Sequence, residues 1–100
     1  MPVVMDRPRL LASGRWTAHL LSDRLGDAGS VELVAIAVTI GCHPYALQCA
    51  GTYKEHFDLM GDRRIRAAVG HPLVVQVGWR QIALILRDKK ALPLGGVAPV

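Results

Sequence analysis

The stretch Pro2-Val3-Val4-Met5-Asp6 is a short apolar run that ends in a carboxylate. A continuous apolar run of this length predicts a strand that is buried on both faces. A second run, Leu73-Val74-Val75-Gln76-Val77, is rich in β-branched residues and predicts another strand. Asp6 therefore stands at the carboxyl end of a predicted strand, which is where ligands bind in open α/β sheets.

Helical segments separate these strands. Apolar residues at helical spacing predict a helix over residues 31–40, with Ser30 as its N-cap and Gly41 as its left-handed end. Two later helices are predicted in the same way, over residues 63–69 and 79–90.

Two further segments complete the pattern. The spacing of Trp16, His19 and Asp23 predicts one or two turns of helix over residues 16–25, and residues 44–49 predict a further strand. Strands that alternate with helices in this way are typical of βαβ units. The fold class is therefore predicted to be α/β, with a short, mostly parallel sheet of about three strands flanked by helices.

Length and composition indicate one globular domain. The chain has 100 residues, of which 51% are hydrophobic and 20% are charged. We expect a single α/β domain over residues 1–92 and a flexible C-terminal tail over residues 93–100. The apolar fraction is also compatible with a homodimer, although no residue pattern indicates one.

The charge and the cysteines indicate a cytoplasmic protein. Asp6, Arg7 and Arg9 lie where a signal peptide would have its apolar core, and no run reaches the ~20 apolar residues of a membrane span. Two cysteines do not make a disulfide framework. The formal charge of +4 permits nucleic acid or an acidic protein as a partner without requiring either.

Two short polar blocks are the candidate site. On the predicted helix, His19 and Asp23 share one face with Ser22, and a histidine with a carboxylate can bind a divalent ion or form a base with its orienting partner. The alternative is that Ser22 and Asp23 cap the next turn. In extended chain, His56 and Asp58 point to one side while Phe57 anchors the other side in the core.

These blocks and Asp6 are predicted to meet beside the first strand. There Asp6, His19, Asp23, His56 and Asp58 would hold a divalent metal ion or act as acid and base. For Asp6 the alternative is a turn cap that accepts backbone N–H groups. For the whole cluster it is a structural hydrogen-bond network.

Arginines form the second candidate site. Arg63, Arg64 and Arg66 lie in the first turns of a predicted helix, where positive charge opposes the helix dipole. A phosphate held by Arg63 and Arg66 together with free backbone N–H groups would offset this charge. Internal ion pairs with Asp58 and Asp62 would offset it equally.

The sequence resembles the bacterial and phage family catalogued as domain of unknown function 4031. The resemblance covers about nine tenths of the chain and rests on these segments: Val4-Met5-Asp6-Arg7-Pro8, Trp16 with His19-Leu20-Leu21-Ser22-Asp23, Glu32-Leu33, Ile40-Gly41, His56-Phe57-Asp58-Leu59, and residues 63–70. Phe57 stands where the family usually has tyrosine. The resemblance implies a shared fold and a shared polar cluster but no particular reaction.

Two functions remain open on this basis. One is metal-assisted hydrolysis of a phosphoester, such as a nuclease-like or other phosphoesterase activity. The other is a non-catalytic phage or mobile-element protein, an inhibitor or adaptor, whose arginines contact nucleic acid or a host protein.

Overall fold

The computed structural model describes residues 3–91, which form a mixed five-stranded sheet with three helices. In chain order the strands are β1 (Val3–Met5), β2 (Arg9–Leu10), β3 (Trp16–Ser22), β4 (Phe57–Met60) and β5 (Val74–Gln76). The helices are α1 (Asp27–Ile40), α2 (Asp62–Val69) and α3 (Trp79–Ala91). This confirms the predicted α/β class and single domain.

Strand β3 is the centre of the sheet and corrects the helix predicted over residues 16–25. It pairs antiparallel with β1 and β2 along one edge and with β4 along the other. From Thr17 to Ser22 every residue is buried except the half-buried His19. Pairing on both edges and burial on both faces outweigh a helical spacing that rested on only a few residues.

The sheet is mixed and has five strands, whereas a mostly parallel sheet of about three was predicted. Among the described strands only β1 and β5 run parallel, with Val3 opposite Val74. The antiparallel strands absent from the prediction are β3, which was predicted to be helical, and its neighbours β2 and β4.

A bulge between β1 and β2, where both pair with β3, positions Asp6. Met5 lies opposite Leu20, and Arg9 lies opposite Thr17. The chain therefore advances four residues from β1 to β2 while β3 advances three, so one residue is extra. Such an extra residue bends a strand and re-aims the neighbouring side chains. The bulge follows Asp6 directly, and the Asp6 backbone N–H still bonds to β3 at 3.2 Å.

Helix α1 begins earlier than the sequence predicted. Its N-cap is Gly26, so Ser30 lies within the helix and is not the N-cap. Gly29 faces the preceding loop so closely that a Cβ there would lie 2.2 Å from the carbonyl oxygen of Arg24. Gly41 ends the helix with a left-handed φ of 105°, as predicted.

One face of the sheet, the helix-packed face, is covered by α1 and α2. Its buried side chains alternate along β3 and β4, since Ala18, Leu20, Phe57 and Leu59 all belong to the core. The helices contribute six further core residues, which are Leu33, Ile36, Ala37, Ile40, Ile65 and Ala68. Cys42 and two residues of β1, Val3 and Met5, complete this core.

The opposite face, the site face, carries the intervening residues of the strands. Val4, Leu21 and Val75 lie side by side on it, because they share one register across β3, β1 and β5. Helix α3 crosses this face, and its Lys89 ammonium donates to the carbonyl of Ser22 at 2.8 Å. Lys89 is the one buried residue of α3, so this helix is attached to the sheet far less tightly than α1.

The other predicted segments differ in detail. The helices predicted over residues 63–69 and 79–90 are confirmed, each longer by one residue at one end. The strand predicted over residues 44–49 is wrong: Pro44–Ala46 form a 3-10 turn, and Gln48 makes a single bridge to His56. The predicted tail over residues 93–100 lies outside the described residues. Among residues 3–91 no helix has the length and hydropathy needed to cross a membrane.

Candidate metal-binding site

Three polar side chains form a row across three neighbouring strands. His19 lies in the middle of β3, and Asp58 of β4 is its direct partner across the strand pair. On the other edge, Asp6 follows β1 and is held against His19 by backbone bonding. Cross-strand partners share one face of a sheet, so the row lies on the site face. Alternation along β4 adds His56, two residues before Asp58, to the same side.

Asp6 fixes the orientation of His19. One carboxylate oxygen of Asp6 accepts the backbone N–H of His19 at 2.7 Å, and the other lies 2.6 Å from its Nδ1. Burial acts to raise the pKa of Asp6, but the two hydrogen bonds from His19 and the charges of His19 and Arg9 together outweigh it, and this pKa is lowered. The hydrogen bond to Asp6 raises the pKa of His19, against the effect of burial. Asp6 is therefore the acceptor, and Nδ1 of His19 carries a proton.

His56 is oriented in the same way by the backbone. Its Nδ1 lies 2.7 Å from the carbonyl oxygen of Lys54, which can only accept, so Nδ1 again is the donor. In the neutral imidazole the other ring nitrogen, Nε2, is then an acceptor. The two imidazole rings meet edge to face, with their centroids 5.4 Å apart.

Asp58 faces the Nε2 atoms of both histidines. Its Oδ1 lies 3.3 Å from Nε2 of His56 and 3.6 Å from Nε2 of His19. Its other oxygen accepts a hydrogen bond from the side-chain amide of Gln48 at 2.6 Å. Both distances at Oδ1 exceed the 2.7–3.2 Å of an ordinary N–H···O bond. One carboxylate oxygen and the Nε2 atoms of two imidazoles therefore converge on one point, and all three are acceptors when the imidazoles are neutral.

This arrangement has the dimensions of a metal site. The ligand atoms of His19, His56 and Asp58 all lie within 4.8 Å of one another. Two ligands of a tetrahedral Zn²⁺ ion, each about 2.0–2.1 Å from the metal, are separated by about 3.3–3.4 Å. The two distances at Asp58 Oδ1 are close to this separation. The Asp6 carboxylate and the Lys54 carbonyl accept from Nδ1 of the two histidines, which is the partner that metal-bound histidines usually have on their other nitrogen.

A pocket of about 400 Å³ opens beside these groups. Asp6, His19 and His56 line one side of it, and Leu21 of β3 forms its floor. Helix α3 forms the opposite wall with four apolar side chains, Trp79, Ile82, Ala83 and Leu86. Lys54 and Cys49 complete the lining. A bound metal ion would therefore face a partly open pocket large enough for a small molecule.

The structure brings together four of the five residues predicted for this cluster, namely Asp6, His19, His56 and Asp58. Asp23 does not join them, because residues 16–22 form a strand and not a helix. In an extended chain, residues four positions apart are separated by roughly 13 Å, so Asp23 is far from His19. One carboxylate oxygen of Asp23 is instead buried and has no hydrogen-bond partner among residues 3–91, and the charge of Asp23 acts on Lys89.

The predicted arginine site lies elsewhere. Arg63 and Arg66 are exposed on α2, whose residues Ile65 and Ala68 pack on the helix-packed face. They are therefore on the other side of the sheet from His19. Phosphate binding by these arginines stays a prediction.

Sequence reasoning missed three parts of the site. Gln48 lies in a segment that was predicted as a separate strand, ten residues before Asp58, and no local pattern marks it as part of the site. Lys54 contributes through its backbone carbonyl, which carries no sequence signal. Helix α3 itself was predicted from the sequence. Its position over the polar cluster depends on the order of the strands, and no local sequence pattern indicates that order.

Comparison with known proteins gives one match. No curated protein and no solved structure is similar to this chain. A family model described as "Protein of unknown function (DUF4031)" matches residues 3–89 and so includes every strand and helix described above except the last two residues of α3. The chain therefore belongs to the DUF4031 family.

Proposed function

We propose that His19, His56 and Asp58 bind a divalent metal ion and that the protein uses it to hydrolyse a phosphoester. One observation supports this most directly: each histidine is held through Nδ1, so both Nε2 atoms face one carboxylate oxygen, and in the neutral imidazoles both present lone pairs to it. Acceptors repel one another at these distances unless a cation or protons lie between them. Two imidazoles and one carboxylate form a ligand set that Zn²⁺ and related ions accept.

The proposed reaction needs an anion site, which the charges around the pocket provide. A divalent ion would contribute two positive charges and Lys54 one, and the charge of Arg9 also acts on Asp6. The opposing charges are the carboxylates of Asp6 and Asp58. The net positive charge suits a phosphoester. When bound, the ion would polarise a phosphoryl oxygen and activate water. The water oxygen bonds to phosphorus, the bond from phosphorus to the alcohol oxygen breaks, and the alcohol leaves with one of the water protons.

The first test is metal binding by the purified chain. We expect titration calorimetry with Zn²⁺ and Mn²⁺ to show one site, and thermal melts to show stabilisation of about 2.7 kcal/mol at a hundredfold excess over Kd. His56→Gln should lose this stabilisation. The chain supplies a matched control, since His43 is exposed and lies outside the cluster. His43→Gln should bind metal as the unaltered protein does.

The second test is turnover of a generic phosphoester. We expect metal-loaded protein to hydrolyse p-nitrophenyl phosphate, and Asp58→Asn to lose this activity while its melting temperature without metal stays close to that of the unaltered protein.

Equal metal affinity in the His56→Gln and unaltered proteins would overturn the metal site. The cluster would then be a hydrogen-bond network with a structural role.

A second candidate is nucleic-acid binding through α2. Within residues 3–91, none of Arg63, Arg64 and Arg66 forms an ion pair with a carboxylate, so the internal neutralisation considered from the sequence is not seen. Exposed arginines of this kind favour contact with phosphates. We expect salt-dependent retention on a DNA column that weakens in Arg63→Gln/Arg66→Gln and not in Arg87→Gln. Equal retention of all three proteins would exclude this function.

A further inference from the structure

We infer that the substrate of this site is a small phosphomonoester whose alcohol part is apolar, and not a polynucleotide. The inference rests on the proposed function, because the phosphoryl group would lie at His19, His56 and Asp58. It adds what the rest of the pocket recognises.

The first observation is the apolar stripe of α3. Trp79, Ile82, Ala83 and Leu86 recur at helical spacing on one face of this helix, and all four line the pocket. A stripe of this kind normally packs against its sheet. Here none of the four is buried, and Trp79 is 57% exposed. The helix is nevertheless held over the sheet by Lys89 at its far end. The gap between stripe and sheet is therefore a preformed apolar space.

The second observation is the position of this space. This space is continuous with the polar cluster. His19 and Leu21 are two residues apart on β3, so they lie on the same face, and both line the pocket. A ligand with its phosphoryl group at the cluster can extend its other end along α3, which forms the apolar wall of the pocket. Contact with these side chains favours an apolar group at that end.

The third observation concerns size and charge. A pocket of about 400 Å³ lies in the range that holds small molecules. A polynucleotide needs a basic track for several phosphates. The wall beside this site is apolar. Within residues 3–91, Lys54 lines the pocket and the Arg9 guanidinium lies 5.1 Å from the centroid of the Trp79 ring, and two separate cations do not form such a track. The exposed arginines of α2 lie on the other side of the sheet.

Binding of phosphonates tests the inference without requiring turnover. On Zn²⁺-loaded protein, we expect 3-phenylpropylphosphonate to bind at least about tenfold tighter than methylphosphonate, since a hydrophobic pocket discriminates by this order. Leu86→Ser should reduce this ratio severalfold. Leu84→Ser is the matched control, because Leu84 lies on the same helix outside the pocket lining and should preserve the ratio.

Turnover gives a second and independent measure. The metal-loaded protein should hydrolyse 2-phenylethyl phosphate with a kcat/KM at least about tenfold above that for glycerol 3-phosphate, whose leaving group is also a primary alcohol. A single-stranded oligonucleotide should be cleaved far more slowly. Lys54→Gln should raise KM for both esters, whereas Lys90→Gln, which changes an exposed lysine of α3 outside the pocket lining, should not.

The outcomes separate the two proposals. Absence of metal binding removes the proposed function and this inference together. Metal binding with equal affinity for both phosphonates, or with preference for the oligonucleotide, overturns the inference and leaves the metal site intact. The same holds if Leu84→Ser and Leu86→Ser change the affinity ratio equally. If Leu86→Ser does not fold, the ratio measured on the unaltered protein decides alone.

Discussion

The two faces of the sheet are built from the same strands but differ in what they bury. On the helix-packed face, Leu20 and Phe57 are fully buried under α1 and α2. On the site face, their chain neighbours His19 and Asp58 remain partly exposed beside a pocket. The two-residue period of a strand thus lets β3 and β4 carry core and chemistry at once.

This difference indicates how the fold divides its tasks. The free energy of unfolding should depend mainly on the helix-packed face, where apolar area is removed from water. The site face can then carry polar groups that remain partly exposed, such as His19, His56 and Asp58. Substitutions on the two faces should therefore separate stability from metal binding, and the following predictions test that separation.

The largest effect is expected from Phe57→Ala. Phe57 stands between His56 and Asp58 in the sequence and is completely buried on the opposite face of the sheet. The substitution therefore opens a cavity directly behind the site. We expect the free energy of unfolding to fall by about 3–5 kcal/mol in urea titrations. Phe57→Leu, as the control, should lose about 1.5 kcal/mol or less. A loss in Phe57→Ala below that of the leucine variant would mean that this face does not dominate stability.

The attachment of α3 should depend on a charge, in contrast to α1. Lys89 is 2% exposed and donates to the Ser22 carbonyl, and burial lowers its pKa despite nearby Glu55 and Asp23. We expect Lys89→Ala to destabilise the fold by about 2–3 kcal/mol, because a charged hydrogen bond is lost and carboxylates stay behind. Lys89→Met, which fills the volume without the charge, should lose less.

The neighbouring lysine provides the control for this second prediction. Lys90 is exposed, and Lys90→Ala should change stability by about 0.5 kcal/mol or less. Tryptophan fluorescence should also change in Lys89→Ala if α3 separates from the sheet, since Trp79 lines the pocket. Equal stability of the two alanine variants would show that apolar contacts hold α3.

These contrasts also show which parts of the fold the sequence could predict. The apolar run ending at Asp6, the Gly41 helix end and the alternation around Phe57 are local patterns, and each leads to the observed element or orientation. What failed was β3. Its helical spacing over a few residues competes with pairing to β4, whose residues lie about forty positions later in the chain.

The error in β3 explains the error at Asp23. If residues 16–25 were helical, Asp23 would lie one turn from His19 and on the same face. Because residues 16–22 form a strand, Asp23 instead lies just beyond the end of β3, near Lys89. Gln48 and the wall formed by α3 depend on tertiary position alone. A single sequence therefore indicated most of the polar cluster but not the pocket beside it.

A smaller effect, confined to the site face, is expected from Asp6→Asn. Loss of the carboxylate partner of a metal-bound histidine typically lowers metal affinity by about 10–100-fold. In the metal-free protein, the pKa of His19 should fall from its raised value, since its hydrogen bond to Asp6 is the main cause of the shift. Histidine NMR titrations can measure this, and Asp27→Asn, at an exposed acidic residue of α1, is the control.

The pH dependence of this pair follows from the two shifts. Because the pKa of Asp6 is lowered from 3.8, its contribution to stability is present above 3.8 and is lost as pH falls through the lowered value. Because the pKa of His19 is raised from 6.5, its contribution is present below 6.5 and is lost as pH rises through the raised value. Asp6→Asn should therefore destabilise the metal-free protein more at pH 5 than at pH 9. An equal loss at both values would contradict this.

The smallest effect is expected from Gln48→Ala. Gln48 donates to the Asp58 oxygen that does not face the histidines, and the contact is exposed, so water can replace the amide. We expect metal affinity to change by less than about tenfold, which corresponds to a net hydrogen bond of about 0.5–1.5 kcal/mol. Gln81→Ala, on the exposed side of α3, should change nothing in the same calorimetric titration. A larger loss in Gln48→Ala than in Asp6→Asn would show that the carboxylate of Asp58, and not the imidazole of His19, is the ligand whose orientation limits metal affinity. The buried edge of the site at Asp6 would then matter less than its exposed edge at Gln48.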